Sequence, residues 1–394
     1  MAKPYYEFFC PVKVIAGNAA LEHIPFELAT LGAKKALIIT DKGVRSNGLL
    51  APIENAFSET DVDISAIFDD VPPDSSLSTV REAARIYREH GCDAILAIGG
   101  GSVIDTAKAT NILVSEGGDD LLKYSGAHNL SRPLKPFFVI PTTSGTGSEV
   151  TMVAVVSDTE KNLKIPFASY YLMPHAAILD PRMTQTLPPH LTAMTAMDAM
   201  THAIEAYTCL AANPISDAYA TAAIKKISTH LFTVLDNPTD AQGRLELAQA
   251  STMAGIAFSN SMVGVVHSLG HALGAVAHLP HGLCMNLFLP YVLDYNKEVN
   301  GDKIADLLLP LAGADIYAHT PADKRADKAI DYIRQIRDQL HLQTKLPRTL
   351  QETGKVTREQ LVEVATKALD DGSIIYNPKE ANLNDLLGIL EKAW

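Results

Sequence analysis

Four of the chain's 13 histidines fall within one stretch, HSLGHALGAVAHLPH, at positions 267, 271, 278 and 281. His267 and His271 stand four residues apart in an apolar run, so a helix places both imidazoles on one face. His281 follows a Pro280 break, on a segment able to fold back toward that face. Upstream, Asp198 and His202 repeat the same spacing in DAMTH. One carboxylate and three imidazoles make an oxygen/nitrogen ligand set suited to Fe²⁺, Zn²⁺, Mn²⁺ or Co²⁺. The competing reading is bland: a single histidine on an apolar helix is commonly a hydrogen-bonded core residue, and one isolated D-x-x-x-H arises by chance. Two such pairs and the His281-Gly282 turn in one chain favour a metal.

A second kind of chemistry is written in two glycine-rich segments. In IGGGSVIDTAK, residues 98–108, an apolar run passes directly into Gly99, Gly100, Gly101 and Ser102 and then into a helical pattern. Glycines allow close backbone approach, and the free N–H groups of a first helical turn favour an anion, here a pyrophosphate. The pattern is neither G-x-G-x-x-G nor a P-loop, and taken alone it is equally a tight strand-to-helix turn. PTTSGTGSE, residues 141–149, also follows an apolar run, and Thr142, Thr143 and Ser144 could hold phosphate or ribose. Asp41 ends a further run. A carboxylate there accepts from a ribose 2′-OH and repels a 2′-phosphate, which favours NAD over NADP; the alternative is a helix N-cap or turn residue.

The elements that must carry these groups change character along the chain. Short apolar runs at 35–40, 63–68, 94–98 and 137–140 alternate with helical patterns such as 77–90, which predicts a parallel α/β unit. From Pro189 onward the pattern is almost wholly helical, with Ala-rich stretches at 192–209 and 217–235. A boundary near Pro188-Pro189 gives an α/β nucleotide-binding domain over 1–187 and an all-helical metal-binding, catalytic domain over 188–394.

Composition narrows the class. At 394 residues with 47% hydrophobic content and a net charge of −12, the chain reads as a globular enzyme. No basic stripe offers a surface to nucleic acid, and no apolar run is long enough to span a bilayer. The N-terminus lacks a secretory pattern, and the cysteines at 10, 92, 209 and 284 form no C-x-x-C pair, which suits a reducing cytoplasm.

Taken together, IGGGSVIDTAK, PTTSGTGSEVT, DAMTHAIEAY and HSLGHALGAVAHLPHG closely resemble the iron-containing (group III) alcohol dehydrogenases, and the resemblance spans nearly the whole chain. It implies a Rossmann-like dinucleotide-binding domain, an all-helical domain and an active site between them. By this resemblance Asp198, His202, His267 and His281 are the metal ligands, with Fe²⁺ as the metal and Zn²⁺, Mn²⁺, Co²⁺ or Ni²⁺ as substitutes. His271 lines the substrate pocket beside the nicotinamide and relays a proton. Gly99, Gly100, Gly101 and Ser102 cradle the pyrophosphate, Thr142, Thr143 and Ser144 contact the adenosine side, Lys164 reaches a ribose hydroxyl, and Asp41 occupies the position tied to NAD preference. One departure stands out: the family's Pro-Asn-Pro turn reads Pro72-Pro73-Asp74 here, which removes an Asn contact to the cofactor.

The implied reaction is NAD(H)-linked interconversion of alcohols and aldehydes by hydride transfer. Val153, Phe258 and Leu269, as apolar pocket candidates, suggest short primary alcohols or diols. The alternatives are a glycerol- or diol-specific dehydrogenase, a metal-dependent hydrolase, which leaves both glycine loops and Asp41 unexplained, and a nucleotide-binding regulatory module without turnover. The family is commonly dimeric or larger, and the N-terminal strand offers a pairing edge.

Overall fold

The computed structural model describes residues 5–159 and 163–394. The first part contains strands β1 (Lys13–Ala16), β2 (Lys35–Ile39), β3 (Asp63–Phe68), β4 (Ala94–Gly99), β5 (Gly126–Ala127), β6 (Phe137–Pro141), β7 (Val153–Asp158), β8 (Leu163–Ala168) and β9 (Ala176–Leu179). Between them lie helices α1 (Ile24–Thr30), α2 (Lys42–Ser46), α3 (Ala51–Phe57), α4 (Leu77–Glu89) and α5 (Gly101–Glu116).

Six strands form one parallel sheet in the order β1-β9-β6-β4-β2-β3. Parallel strands covered on both faces must be apolar throughout, and β4 (AILAIG) and β6 (FFVIP) are buried at every position. The α1 and α3 side buries Leu28, Ile53 and Phe57 against one face of the sheet. On the other, α4 and α5 contribute Ala83, Tyr87, Val103 and Ile104. Ser76 starts α4 by accepting from the Thr79 amide at 3.2 Å, and Gly91, at φ +60°, ends its connection.

From β2 the chain runs outward to β3, then returns past β2 to β4. Strand order therefore reverses between β2 and β4, and the carboxyl ends at such a switch point form a ligand crevice. Asp41 lies at the end of one of these strands and Gly99 at the end of the other. A second sheet, β5-β8-β7, was not anticipated from the sequence. Its antiparallel β7/β8 pair carries Lys164, paired with Ser157.

Among the described residues no strand follows β9. The helices are α6 (Pro189–Thr208), α7 (Pro214–Asp236), α8 (Ala241–Ser259), α9 (Val265–Ala277), α10 (His281–Asp306), α11 (Leu308–Ala312), α12 (Ala314–His319), α13 (Arg325–Thr344), α14 (Gln360–Leu369) and α15 (Leu383–Ala393). Pro189 sits in the first turn of α6, where a missing N–H costs nothing, and Asn213 starts α7 with a capping box to Ser216. Helix α6 packs on α7, α8 and α10, and its Ala-rich faces let the backbones come close around a core of Met200, Ile204, Leu269 and Phe288.

The two parts are joined by contacts at atomic range. Gly147, at φ +62°, brings its Cα so near Gly255 of α8 that a Cβ would lie 2.6 Å from the Gly255 Cα. A Cβ on Gly145 would meet Thr195 of α6 at 2.8 Å. Glu149 completes the joint by accepting from the Thr252 hydroxyl at 2.7 Å. The glycines of the second loop thus serve interdomain packing.

Candidate metal centre and cofactor cleft

Asp198, His202, His267 and His281 each offer one ligand atom, and these atoms all lie within 4.8 Å of one another. Three helices converge to make the cluster. Asp198 and His202 share one face of α6, His267 sits in the first turn of α9, and His281 is the first residue of α10. Gly282 makes the approach of α10 to α6 possible, because a Cβ there would overlap the Met194 carbonyl oxygen. Phe258 stacks on the His202 ring, with centroids 4.3 Å apart.

Three atoms of the cluster are buried without a hydrogen-bond partner: Asp198 Oδ1, His202 Nδ1 and His267 Nε2. Asp198 Oδ1 lies 3.2 Å from His281 Nε2 and 3.7 Å from His202 Nδ1. Buried polar atoms left unpaired in this way cost about 1–3 kcal/mol each, and three of them converging beside His281 are what a cation satisfies. Protonation agrees with ligation. Burial holds the His202 imidazole down to about 3 and drives His267 well below its usual value, so their lone pairs are free at neutral pH. Burial alone would raise Asp198 and lower His281, but attraction to His202 and His281 holds Asp198 below its ordinary value, and attraction to Asp198 lifts His281 above its own. The donor set fits a divalent metal.

His267 is oriented by a residue that sequence reading missed. Glu205 accepts from the Val266 amide at 2.7 Å through Oε1, and its Oε2 lies 2.6 Å from His267 Nδ1. With Nδ1 engaged, Nε2 is aimed at the cluster. The signal was present, since Asp198, His202 and Glu205 follow the i, i+4, i+7 spacing of one helix face.

The remaining histidines of the motif separate. His271 stands beside the cluster, its ring stacked 5.2 Å from that of His281 and 46% of its side chain exposed. It is outside the ligand group and pairs instead with Asp371. His278 is exposed and ends α9 in the left-handed conformation. Cys284 is fully buried, and burial pushes its thiol up to about 12. Of the apolar pocket candidates, Phe258 touches the cluster through His202, and Val153 is half-buried on β7. Leu269, by contrast, is 0% exposed inside the helical core and offers no surface to a substrate. Its place in α9 turns it to the face opposite the cleft.

The cofactor candidates gather at the strand ends. Gly100 caps α5, whose first amides belong to Gly101, Ser102 and Val103. A Cβ on Gly99 would strike Val103 at 2.6 Å, so the turn closes only with glycine. The two loops touch: the Thr142 amide donates to the Gly99 carbonyl at 3.1 Å, and a Cβ on Gly100 would lie 3.4 Å from Thr143 Oγ1. Thr142 and Ser144 are nearly buried, and Thr143 is half-exposed. Asp41 does cap α2, its Oδ1 accepting from the Val44 amide at 2.9 Å, which occupies one carboxylate oxygen.

Lys164 extends over the same crevice and pairs with Asp74 at 3.0 Å. Asp74 stands in the left-handed region at φ +61°, where Asn and Asp are tolerated, and its amide donates to Ser102 Oγ at 3.2 Å. Asp74, Ser102, Asp105 and Lys164 line a cavity of about 90 Å³ beside the glycine turn.

A glycine-rich crevice at parallel strand ends, in one chain with a buried Asp/His donor set, is an arrangement compatible with a metal-dependent dehydrogenase. Residues 11–181 match the family described as iron-containing alcohol dehydrogenase, and residues 192–394 match the C-terminal region of the Fe-containing alcohol dehydrogenase family. The chain belongs to the iron-containing alcohol dehydrogenase family. It is 34% identical over 386 residues to an NAD-dependent methanol dehydrogenase of Bacillus methanolicus, covering 98% of this chain and 99% of the relative. To a 1,3-propanediol dehydrogenase of Klebsiella pneumoniae it is 35% identical over 396 residues, covering all of both. The solved structure of a 1,3-propanediol oxidoreductase matches with a TM-score of 0.93 and 34% identity, over 99% of this chain and 100% of that one. The chain is thus an alcohol dehydrogenase of the iron-containing family; the diol-specific alternative is compatible with these relatives but not favoured by them. No described helix is long and apolar enough to cross a membrane.

Proposed function

We propose that this enzyme interconverts short primary alcohols or diols and their aldehydes in the cleft between an α/β domain over 1–187 and a helical domain over 188–394. The observation that carries the reading is the convergence of three unpartnered buried ligand atoms and His281 on one point, beside a glycine-rich strand-end crevice. Asp198, His202, His267 and His281 hold the metal, Fe²⁺ in the first instance. Gly99, Gly100, Gly101 and Ser102 receive the pyrophosphate, Thr142, Thr143 and Ser144 the adenosine side, and Lys164 a ribose hydroxyl. Asp41 selects NAD over NADP by its charge. When bound, the metal polarises the alcohol or carbonyl oxygen and the nicotinamide exchanges a hydride with the carbinol carbon.

The chain's own groups supply the rest. Phe258 shields one face of His202, and its apolar ring suits a short primary alcohol or diol. His271, half-exposed beside the cluster, accepts the hydroxyl proton and passes it to solvent. The unpaired thiols of the four scattered cysteines suit a reducing cytoplasm, and β1, an edge strand of the main sheet, suits pairing between copies in a homodimer or larger assembly.

The test is an anaerobic assay of the Fe²⁺-loaded protein with NAD⁺ and a panel of primary alcohols and diols, beside a His267→Ala control. NADH formation that requires both the metal and His267 supports the reading, and the panel ranks the substrates. Absence of turnover with every alcohol and aldehyde, in protein that binds both metal and NAD, overturns it.

A further inference from the structure

We propose that Asp371 is a positioning residue for the reaction: it fixes the tautomer and direction of His271 and thereby makes Nε2 a proton acceptor facing the cleft. The proposal rests on the catalytic reading of His271. Asp371 Oδ2 lies 2.8 Å from His271 Nδ1. An ionised carboxylate only accepts, so the shared proton sits on Nδ1, and Nε2 keeps its lone pair. The other ring nitrogen is thereby the one left for a substrate, on a side chain that is 46% exposed and stacked on His281.

Asp371 is itself held in place. Its Oδ1 accepts from the Ser373 amide at 2.8 Å, where it caps a short helical turn over Gly372–Tyr376. At the far end of that turn the Tyr376 carbonyl accepts from the Leu210 amide at 2.8 Å, just beyond α6. Asn377 Oδ1 accepts from the Val265 amide at the start of α9 at 3.3 Å and from Asn296 Nδ2 of α10 at 3.0 Å. The segment is therefore pinned to the same three helices that carry the metal ligands, and it delivers a carboxylate to a histidine 100 residues away in the chain. A surface ion pair formed by chance would not come with this frame.

In the oxidative direction the hydride leaves with NAD⁺ and the hydroxyl proton passes to Nε2 of His271, giving an imidazolium that Asp371 stabilises. Loss of that proton to water restores the starting tautomer. Reduction runs the same proton back to the alkoxide oxygen.

Asp371→Asn separates this role from a merely structural one. The amide oxygen stays on the Ser373 N–H, and the amide nitrogen then faces His271 Nδ1 as a donor, which forces the ring proton onto Nε2. Two measurements test the proposal on the full chain: ring ¹⁵N chemical shifts of histidine-labelled, metal-free protein, and steady-state kinetics of the metal-loaded enzyme. Expected are an Nδ1–H tautomer for His271 in the parent, an Nε2–H tautomer in Asp371→Asn, and a kcat lowered roughly 100-fold with KM little changed. The loss should not deepen when Asp371→Asn is added to His271→Ala, because both remove one function. A parent Nε2–H tautomer overturns the proposal. So does a His271→Ala enzyme that is slow beside an Asp371→Asn enzyme that is not. Full kcat in His271→Ala overturns instead the catalytic reading of His271 and the proposal with it. Should the segment loosen in Asp371→Asn, Asp371→Glu, which keeps an acceptor, is expected to recover part of kcat, and failure to exceed the Asn variant also counts against the proposal.

Discussion

Substitution of Glu205 by Gln isolates the orientation of a metal ligand from its presence. Glu205 is 4% exposed and His267 2%, so neither finds water when the pair is disturbed. In Glu205→Gln the side-chain oxygen can keep the Val266 amide, now at 2.7 Å. The amide nitrogen then meets His267 Nδ1 as a donor, and the ring must place its proton on Nε2, the atom that faces the cluster. A metal must displace that proton or break the new hydrogen bond. Loss of an outer partner of this kind costs roughly 10–100-fold in affinity, which is about 1.4–2.7 kcal/mol. Competition between the metal-free protein and a chromophoric chelator for Zn²⁺ or Co²⁺ measures it directly. The Co²⁺ absorption band reports whether all four ligands remain. Glu205→Ala, which leaves the Val266 N–H without an acceptor, should cost more and also lower the melting temperature. A Gln variant that binds Co²⁺ within about two-fold of the parent, with the same spectrum, would refute the claim that Glu205 holds His267 for the metal.

Three further outcomes are expected. Gly282→Ala drives a methyl into the Met194 carbonyl; α10 must shift from α6, and Zn²⁺ affinity should fall at least about ten-fold along with thermal stability, both measurable by chelator competition and calorimetry. Asp41→Ser removes the charge but keeps an oxygen to cap α2, so the NADP-to-NAD ratio of kcat/KM should rise about ten-fold or more while the fold is unaffected, whereas Asp41→Ala should also lose about 1 kcal/mol of stability. Lys108 is 0% exposed, and burial holds its amine down to about 8 from 10.5, against the attraction of Asp105 and Glu149. Because the folded pKa is the lower one, unfolding takes up a proton between those values. Stability should therefore rise with pH across that window by up to about 3 kcal/mol and be lost as pH falls toward 8. Denaturant midpoints from pH 7.5 to 9.5, tested at about half-unit steps, should show that slope in the parent and not in Lys108→Met; parallel profiles would refute it.

Much of the architecture was legible because its signals are local. Buried parallel strands must be apolar on both faces, so β2, β4 and β6 announced themselves as short apolar runs ending in Asp, Gly or Pro. Helix periodicity placed His202 one turn from Asp198, and the glycines of 99–101 marked a turn that a side chain would block. The same periodicity contained Glu205, one further turn along α6. Less legible were β7 and β8, short partly exposed strands whose pairing with each other replaces an obvious core pattern, and β9, whose four residues gain strand character only between β1 and β6.

What the sequence determined by itself was composition of the site: one carboxylate, a surplus of histidines, two glycine-rich loops and a carboxylate at a strand end. Which histidines belong to one cluster was decided by tertiary structure, because ligand distance depends on how closely α6, α9 and α10 approach, and that depends on Gly282 against Met194. The fold also gave His271 its partner, since Asp371 arrives from a distant turn whose position follows only from the packing of Asn377 and Tyr376. It turned the glycines of the second loop into an interdomain joint and set Lys164 opposite Asp74. Spacing along a chain records neighbours on one helix or strand; contacts between elements arise when the buried faces dock, and no local pattern carries them.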